Sequence, residues 1–401
     1  MRVANATLTH PSLDLLVNAS IATSATTSDA VGAYTVVPSA GPTLQLNDAG
    51  ATTALITLAP TMTGGDHYTL LAYESGGVVK TSLLNEDYAA PGAGAAQLRV
   101  FVAAVDAGKL DVYITDPATD LSTVSTPTAS SPVITDAFST GLLTYSPGTY
   151  RVRVTGAGNK ADLRIDIPAV TVAALQIGTV VLTPASGGVL LNGSTLIQQG
   201  AYSATRNTNA RVRLASAVSN AAVVSATASA GTSNVVIDTG SVAPSFGYYT
   251  LVPASSALNI SVNGQSAGAP TTALTAGSDH TLLVYGSSTG PTATVIADDN
   301  RTPADPSTVK LRLINGINGT TGALALTANS ALVASGILPG GVSNYVAVPG
   351  SANAMNLSMT LSTSPGTYYS NNTNVLNFKA VYNVMAVGDV SAPQSTQFLI
   401  R

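Results

Sequence analysis

Sliding this chain by 212 positions without a gap lays one half on the other: Thr63 falls on Thr275, Gly65 on Gly277, Thr69 on Thr281, Leu70 on Leu282, Leu71 on Leu283 and Tyr73 on Tyr285. The match runs on to Asp87 with Asp299 and Pro91 with Pro303, and one further residue of shift aligns "LRV" (98 to 100) with "LRL" (311 to 313). Upstream, "AYTVVPSAGPTLQLN" (33 to 47) corresponds to "YYTLVPASSALNISVN" (248 to 263), and "RVANA" (2 to 6) to "RLASA" (213 to 217). Self-similarity of this kind means one arrangement built twice, so both halves must fold alike. Each half divides again, because "LRVFVAAVDAGKLDVYI" (98 to 114) and "LRLINGINGTTGALALT" (311 to 327) are similar to the opening "RVANATLTHPSLDLLVN". Four units follow, 1–92, 93–205, 206–303 and 304–401, each of about 100 residues, the size of an immunoglobulin-like sandwich.

The local pattern says what each unit is made of. "YRVRVT" (150 to 155), "LRIDIP" (163 to 168), "LNISVNG" (258 to 264) and "NLSMTLS" (356 to 362) alternate apolar and polar residues with period two, as half-buried antiparallel strands do. Turn signals separate them: "SPGTY" at 146 to 150 and 364 to 368, Asn192-Gly193 and Asn263-Gly264. Gly, Pro and β-branched residues interrupt every Ala-rich run, so no helix of three turns is predicted. The fold class is all-β: tandem immunoglobulin-like antiparallel β-sandwiches in two duplicated halves. The stretch 115 to 141, rich in Ser, Thr and Pro, is an expansion of the second unit, either an exposed excursion or an extra edge strand.

Composition narrows the function classes. Apolar residues make up 45 % and charged residues 9 %, against a usual charged share of about 25 %. Thr, Ser, Asn, Gly and Ala stand in place of charge, and a chain with this much apolar content and so little net charge is not a disordered tail. A net charge of -4 without a Lys/Arg cluster gives no footprint for nucleic acid. With no cysteine, neither a disulfide framework nor a thiolate metal site exists. Residues 167 to 205 hold no charge, but Thr171, Gln176, Gly178, Thr179, Thr183 and Pro184 break the roughly 20 apolar residues of a spanning helix, so buried strands are predicted there. The start "MRVANATLTH" does not read as a signal peptide, which fits a cytosolic chain or a mature secreted form.

Motifs that carry chemistry are weak. "GQSAG" (264 to 268) fits the Gly-x-Ser-x-Gly nucleophile elbow, which needs a helix after its serine. Pro270 and "TTALTAG" follow instead, and the equivalent "NDAGATTALI" has no serine, so Ser266 reads as a chance match. "GAGNKA" (156 to 161) fits the Gly-x-Gly-x-x-Ala dinucleotide fingerprint, but the alternating "DLRIDIP" after it makes a hairpin loop the better reading. His10, His67 and His280 are too few and scattered for a three-histidine metal site unless folding gathers them. His67 and His280 each follow an Asp in echoing stretches, "GGDHYTLLAY" and "AGSDHTLLVY", yet the gapless alignment sets His280 opposite Tyr68. On a strand a one-residue slip turns a side chain to the other face, so His67 sides with Leu71 and Tyr73, and His280 with Leu282 and Val284. "NEDY" (85 to 88) and "ADDN" (297 to 300) occupy matching positions, either as solvated turns or holding a cation between domains. Asn-x-Ser/Thr sequons begin at Asn5, Asn18, Asn192, Asn259, Asn318, Asn356 and Asn371, as chance allows in such a composition. No catalytic, cofactor-binding or metal-ligating residue is expected.

"RVANATLTHPSLDLLVN", followed by "AYTVVPSAGPTLQLN" and "YTLLAYES", resembles the bacterial domain of unknown function 4397 family. "RLASAV", "YYTLVPASS" and "HTLLVYG" repeat the order more loosely, and "LRLINGINGTTGALALTA", "NYVAVPGS" and "YNVMAVGDVSAP" look like a further copy. The resemblance implies immunoglobulin-like sandwiches in secreted or surface-attached bacterial proteins and implies no catalytic residues. The 115 to 141 expansion and the low charge depart from the family's pattern. The expected function is that of a secreted bacterial structural protein at the cell surface or in a matrix, self-associating through strand or sheet-edge contacts as the subunit of an extracellular filament. The alternative is an adhesin or carbohydrate-binding module that meets a surface glycan through loops at the sandwich ends, with Tyr248, Tyr249, Tyr368 and Tyr369 as its aromatic supply. An enzyme, a cofactor protein, a nucleic-acid partner and a membrane span are not expected.

Overall fold

The computed structural model describes residues 1–131 and 137–400. Among the described residues every regular element is a strand except the 3-10 turn Leu121–Thr123, as the interrupted Ala runs predict. The chain forms two compact units, residues 1–186 with 190–207, and residues 187–189 with 208–401.

In the first unit, one sheet holds Ala30–Val31, Arg2–Asn5, Tyr68–Ser75 and Val78–Asn85, in that order, and a second holds Ser20–Thr27, Ser12–Val17, Leu44–Asp48 and Ala54–Leu58. Val3, Leu13, Leu15, Leu44, Leu46 and Leu70 fill the space between them. A second pair of sheets follows, centred on Ala96–Val102 with Ile177–Pro184 and on Leu110–Thr115 with Gly148–Gly156. The second unit repeats the plan twice, with cores around Val212, Leu214, Val224, Ile260 and Leu282, and around Leu311, Leu313, Leu326, Leu357 and Val384.

The sheets are antiparallel except at one pairing in each sandwich. In each of the four sandwiches the opening strand pairs in parallel with a strand that arrives much later: Arg2 opposite Thr69, Arg99 opposite Thr179, Arg213 opposite Thr281 and Arg312 opposite Asn383. Period-two alternation describes the two faces of one strand and is blind to the direction of its neighbour. The first and last strands differ in their place in the sheets. Arg2–Asn5 sits between Ala30–Val31 and Tyr68–Ser75, whereas the C-terminal Ala392–Ile400 is outermost in its sheet.

The late strands are the least alternating in the sequence, "YTLLAY", "TVVLTP", "HTLLVY" and "NVMAVG", and the fold supplies the reason. Both of their faces are covered, which is the usual state of parallel strands and makes their sequences near-continuously apolar. In Tyr68–Ser75, Leu70 and Ala72 enter the sandwich's own core, while Leu71 and Tyr73 pack outward on Phe101, Ala103, Val181 and Leu196 of the neighbouring sandwich. In the second unit Leu282 and Val284 face inward, while Leu283 joins Ala215, Ala217, Ile314, Met385 and Val387. The sandwiches of each unit are therefore joined sheet to sheet across a second apolar layer.

The 115 to 141 expansion is partly sheet. Ala129–Ser130 pairs with Leu110–Thr115, and Phe138–Ser139 with Ala96–Val102, so the edge-strand alternative holds for these two segments. The part at 132 to 136 lies outside the described residues.

The opening strands send small residues into the second layer, Ala4 and Ala6 from one and Ala215 and Ala217 from another. Gly316 is one close approach: a Cβ there would stand 2.6 Å from the Cβ of Ala217 and 3.0 Å from the carbonyl oxygen of Ala386. Gly316→Ala is expected to destabilise the second unit by about 1–3 kcal/mol, the usual cost of overpacking. Urea unfolding measures this, and an unchanged midpoint would mean that the two sheets are not in contact at that point.

Candidate functional site

The feature shared by all four sandwiches is a buried arginine. Each opening strand carries one, Arg2, Arg99, Arg213 and Arg312, on its outward face, and all four are less than 10 % exposed. A guanidinium cannot enter a low-dielectric layer without partners, because the desolvation cost amounts to several kcal/mol per ion. The parallel register supplies the first partner. Arg2 Nε donates to Thr69 Oγ1 at 2.9 Å, Arg99 Nε to Thr179 Oγ1 at 2.9 Å, Arg213 Nε to Thr281 Oγ1 at 2.9 Å, and Arg312 Nε to Asn383 Oδ1.

The counter-charge for Arg2, Arg213 and Arg312 comes from the two acidic clusters, where the reading as solvated turns fails for Glu86 and Asp298 although Asp87 is exposed. Glu86 and Asp298, which fall on each other in the 212-residue alignment, are buried at 2 % and 3 % exposure. Arg2 Nη2 donates to Glu86 Oε1 and Oε2 at 3.1 and 2.9 Å, Thr69 Oγ1 donates to Oε1 at 2.7 Å, and the Tyr34 hydroxyl donates to Oε2. Asp298 accepts from Thr281 Oγ1 at 2.6 Å, from the Tyr249 hydroxyl and from Arg312 Nη2, and Arg213 Nη2 stands 3.7 Å away. The cation held at each junction is thus an arginine of the protein itself. The neighbouring Asp87 accepts from the backbone N–H of His67, which holds its carboxyl below the usual range, and Asp299 pairs with Arg301 and Lys310.

Each guanidinium also lies against an aromatic ring, at 4.7 Å for Arg2 on Tyr34, 4.5 Å for Arg213 on Tyr249 and 4.5 Å for Arg312 on Tyr345. These are the tyrosines of "AYTVVP", "YYTLVP" and "NYVAVP". Burial, and in Tyr34 and Tyr249 the adjacent carboxylate, push all three phenols above their ordinary pKa, so they remain neutral donors. The second sandwich lacks that stretch, and there Tyr88, which follows the outermost strand Val78–Asn85 of the first sandwich, covers Arg99 at 4.9 Å and accepts from its Nη1 at 3.0 Å. Contacts also cross between sandwiches: Arg2 Nη1 reaches the carbonyl of Gly200 at 2.7 Å, Arg99 Nη2 that of Asn85 at 3.4 Å, and Arg312 Nη1 that of Ala297 at 2.8 Å. Asn85 and Ala297 are the same position in the repeat.

The histidines do separate work. His280 stands where the first sandwich has Tyr68, and both accept a backbone N–H five residues upstream, Thr275 N to His280 Nε2 at 3.1 Å and Thr63 N to Tyr68 Oη at 3.0 Å. Tyr382 Oη accepts from Asn377 N at 3.3 Å in the same way. His280 is a replacement for a structural tyrosine, and burial lowers its pKa. The prediction that it faces its own core with Leu282 and Val284 holds. His67 lies beside Asp87, and His10 Nδ1 lies 2.7 Å from Asp48 Oδ1 with Nε2 3.7 Å from Glu74 Oε1. The fold does not gather the three.

Ser266 sits in Gln265–Ala267, paired opposite Ser261 in a hairpin, with no helix after it. "GAGNKA" forms the hairpin turn between Gly148–Gly156 and Asn159–Val172, and the N–H of Gly158 donates to Asp111 Oδ2 at 2.8 Å. Of the tyrosine pairs, Tyr248 is 77 % exposed, Tyr249 is committed to Asp298, and Tyr369 packs edge-on against Phe398. The sequon residues Asn5 and Asn192 are buried, whereas Asn18, Asn259 and Asn356 are exposed. The arginine clusters escaped the sequence reading of function although their parts, "RVANA", "YTVVP" and "NEDY", were all in view. What had to be known was that these segments meet.

Residues 1–113 match the family described as Domain of unknown function (DUF4397), which bears out the resemblance read from the sequence over that stretch. No curated protein matches the chain. Among solved structures, a candidate cell adhesion protein from Bacteroides uniformis is similar at 12 % identity and a TM-score of 0.22, covering 51 % of this chain and 97 % of that one. The TIE protein of Bacillus anthracis is similar at 10 % identity and a TM-score of 0.17, covering 82 % of this chain and 59 % of that one. The major pilin of Streptococcus pyogenes, solved as a point mutant, is similar at 9 % identity and a TM-score of 0.10, covering 67 % of this chain and 99 % of that one.

Two outcomes are expected of these clusters. Glu86→Gln strands the Arg2 guanidinium and should cost about 3–5 kcal/mol, the loss found when one partner of a buried pair is removed. Chemical denaturation checks this, and a loss below about 1 kcal/mol would place the pair in water. His280→Tyr should preserve stability at neutral pH, because the first sandwich uses tyrosine at this position. The folded state disfavours the charged imidazole, so the native protein loses stability as pH falls below about 6.5, where the unfolded chain takes up the proton. Melting curves from pH 7 to pH 4 should therefore fall less steeply for His280→Tyr than for the native chain.

Proposed function

We propose that this chain is a non-enzymatic, secreted bacterial structural protein of the cell surface or matrix, with four sandwiches at 1–92, 93–205, 206–303 and 304–401. The observation that carries this reading is where the polar chemistry lies. The arginine and carboxylate groups shared by the repeats are buried and directed at partners inside the protein, and they hold sandwiches together. Among the described residues no helix is long and apolar enough to cross a membrane.

Self-association through sheet edges belongs to the same proposal, and the edges differ in their fitness for it. Ser20–Thr27, Ser233–Val242 and Ala331–Ile337 break register against their neighbours at corresponding places, and bulges of this kind discourage edge-to-edge pairing. Val78–Asn85 and Gly290–Asp298 are outermost in their sheets and run 8 and 9 residues without a break. They are the same strand of the repeat, so one chain offers two equivalent regular edges, and pairing one with the other on the next copy gives a contact that need not close. The low charge removes repulsion between copies.

Electron microscopy and sedimentation across a concentration series test the assembly. Concentration-dependent association is expected, and the double change Val78→Lys with Thr292→Lys, at exposed positions on the two edges, should suppress it with circular dichroism unchanged. A monodisperse monomer at every concentration would remove the filament from the proposal.

A further inference from the structure

We propose that the cleft between the two sandwiches of the second unit binds an uncharged, hydroxyl-rich ligand of pyranose size, a terminal neutral sugar of a surface glycan. This deepens the adhesin alternative and does not depend on self-association. The cavity is about 530 Å³, within the roughly 300–1,000 Å³ of small-ligand sites, and it lies at a domain junction where such sites concentrate.

The lining fixes the chemistry. Ala217, Val218, Ala243, Pro244 and Val387 form an apolar wall suited to the C–H face of a sugar ring. Ser219, Asn220, Ser391, Thr396 and Gln397 bring hydroxyls and amides, which both donate and accept as sugar hydroxyls do. No Lys or Arg lines the cavity and Asp389 does, with its carboxyl held below the usual range by hydrogen bonds from Ser391, so an anionic ligand is repelled. Thr396 is 7 % exposed, yet its Oγ1 has no hydrogen-bond partner among the described residues. Leaving such a hydroxyl buried and unmet is costly, and Thr396 belongs to the wall of the cleft.

The duplication provides an internal comparison. Ser219, Asn220 and Ala221 of the lining correspond to Leu8, Thr9 and His10 of the first unit, where that stretch is tied down. There Leu8 N and Thr9 N donate to Glu74 at 2.8 and 3.0 Å, and His10 lies against Asp48. The counterparts of His10, Asp48 and Glu74 in the second unit are Ala221, Gly264 and Gly286, so every one of those side chains is trimmed back.

Saturation-transfer NMR of the full chain with glucose, galactose, N-acetylglucosamine and N-acetylneuraminic acid tests the site. Transfer to at least one neutral sugar and none to the anionic one is expected. Gln397→Trp, exposed at the rim, should abolish the transfer, and Thr396→Val should weaken binding about three- to tenfold without loss of thermal stability. No transfer to any neutral sugar, or transfer undiminished in Gln397→Trp, overturns the proposal. Loss of self-association in Gln397→Trp with no sugar signal in either protein would instead assign the cleft to a second copy of the chain. Sugar binding by a strictly monomeric chain would uphold this site while removing the filament.

Discussion

An arginine on a strand that is covered on both faces must find its polar partners inside the protein. That requirement organises both units. The strand's inner face belongs to its own sandwich core, and its outer face to the layer shared with the next sandwich, so the guanidinium at its end has no route to bulk water. At Arg2 the partners converge from four places: the parallel-paired Thr69, Tyr34 of the turn stretch, Glu86 after the outermost strand, and the carbonyl of Gly200 in the adjacent sandwich, whereas Arg99 is met by Thr179, Tyr88 and the carbonyl of Asn85. Removing any one leaves a buried group unmet, and such a loss is larger than the net worth of the pair.

The two units show how far this arrangement tolerates substitution. Asn383 takes the place of threonine, Asp298 that of Glu86, and Tyr88 covers Arg99 from the preceding segment where the second sandwich has no tyrosine of its own. Asp298 serves the arginines of two sandwiches, whereas Glu86 serves Arg2 and accepts the backbone N–H of Gln199 from the second sandwich. The tyrosine that caps a backbone N–H before the late strand becomes His280 in the third sandwich with the bond retained. Chemistry that looks catalytic in the sequence, a histidine beside an aspartate in an echoed motif, is here a hydrogen-bond acceptor for the main chain.

This division of labour bears on what the molecule can offer outward. Buried clusters join the sandwiches of each unit and turn their charged groups away from solvent. What is left for partners are sheet edges of unequal regularity and a cleft in the second unit whose counterpart segment in the first is tied down by charged side chains. Repetition supplies the scaffold, and the places where the copies diverge are where specific contacts can arise.

The sequence by itself determined the strands, the turns between them, the fourfold recurrence and the all-β class, because alternation and turn chemistry are local and a repeat needs no structure to be seen. It also placed His280 on one face with Leu282 and Val284, since the period of a strand is two. Only the tertiary structure decided that opening strands run parallel to strands some 70 to 80 positions later, and that "RVANA", "YTVVP" and "NEDY" are one cluster rather than three motifs. Likewise, nothing local showed that Glu86 and Asp298 are buried, because burial depends on the neighbouring sandwich and not on the residues beside them. Which segments meet is set by packing a second layer between sheets, and that energy belongs to pairs of residues far apart along the chain.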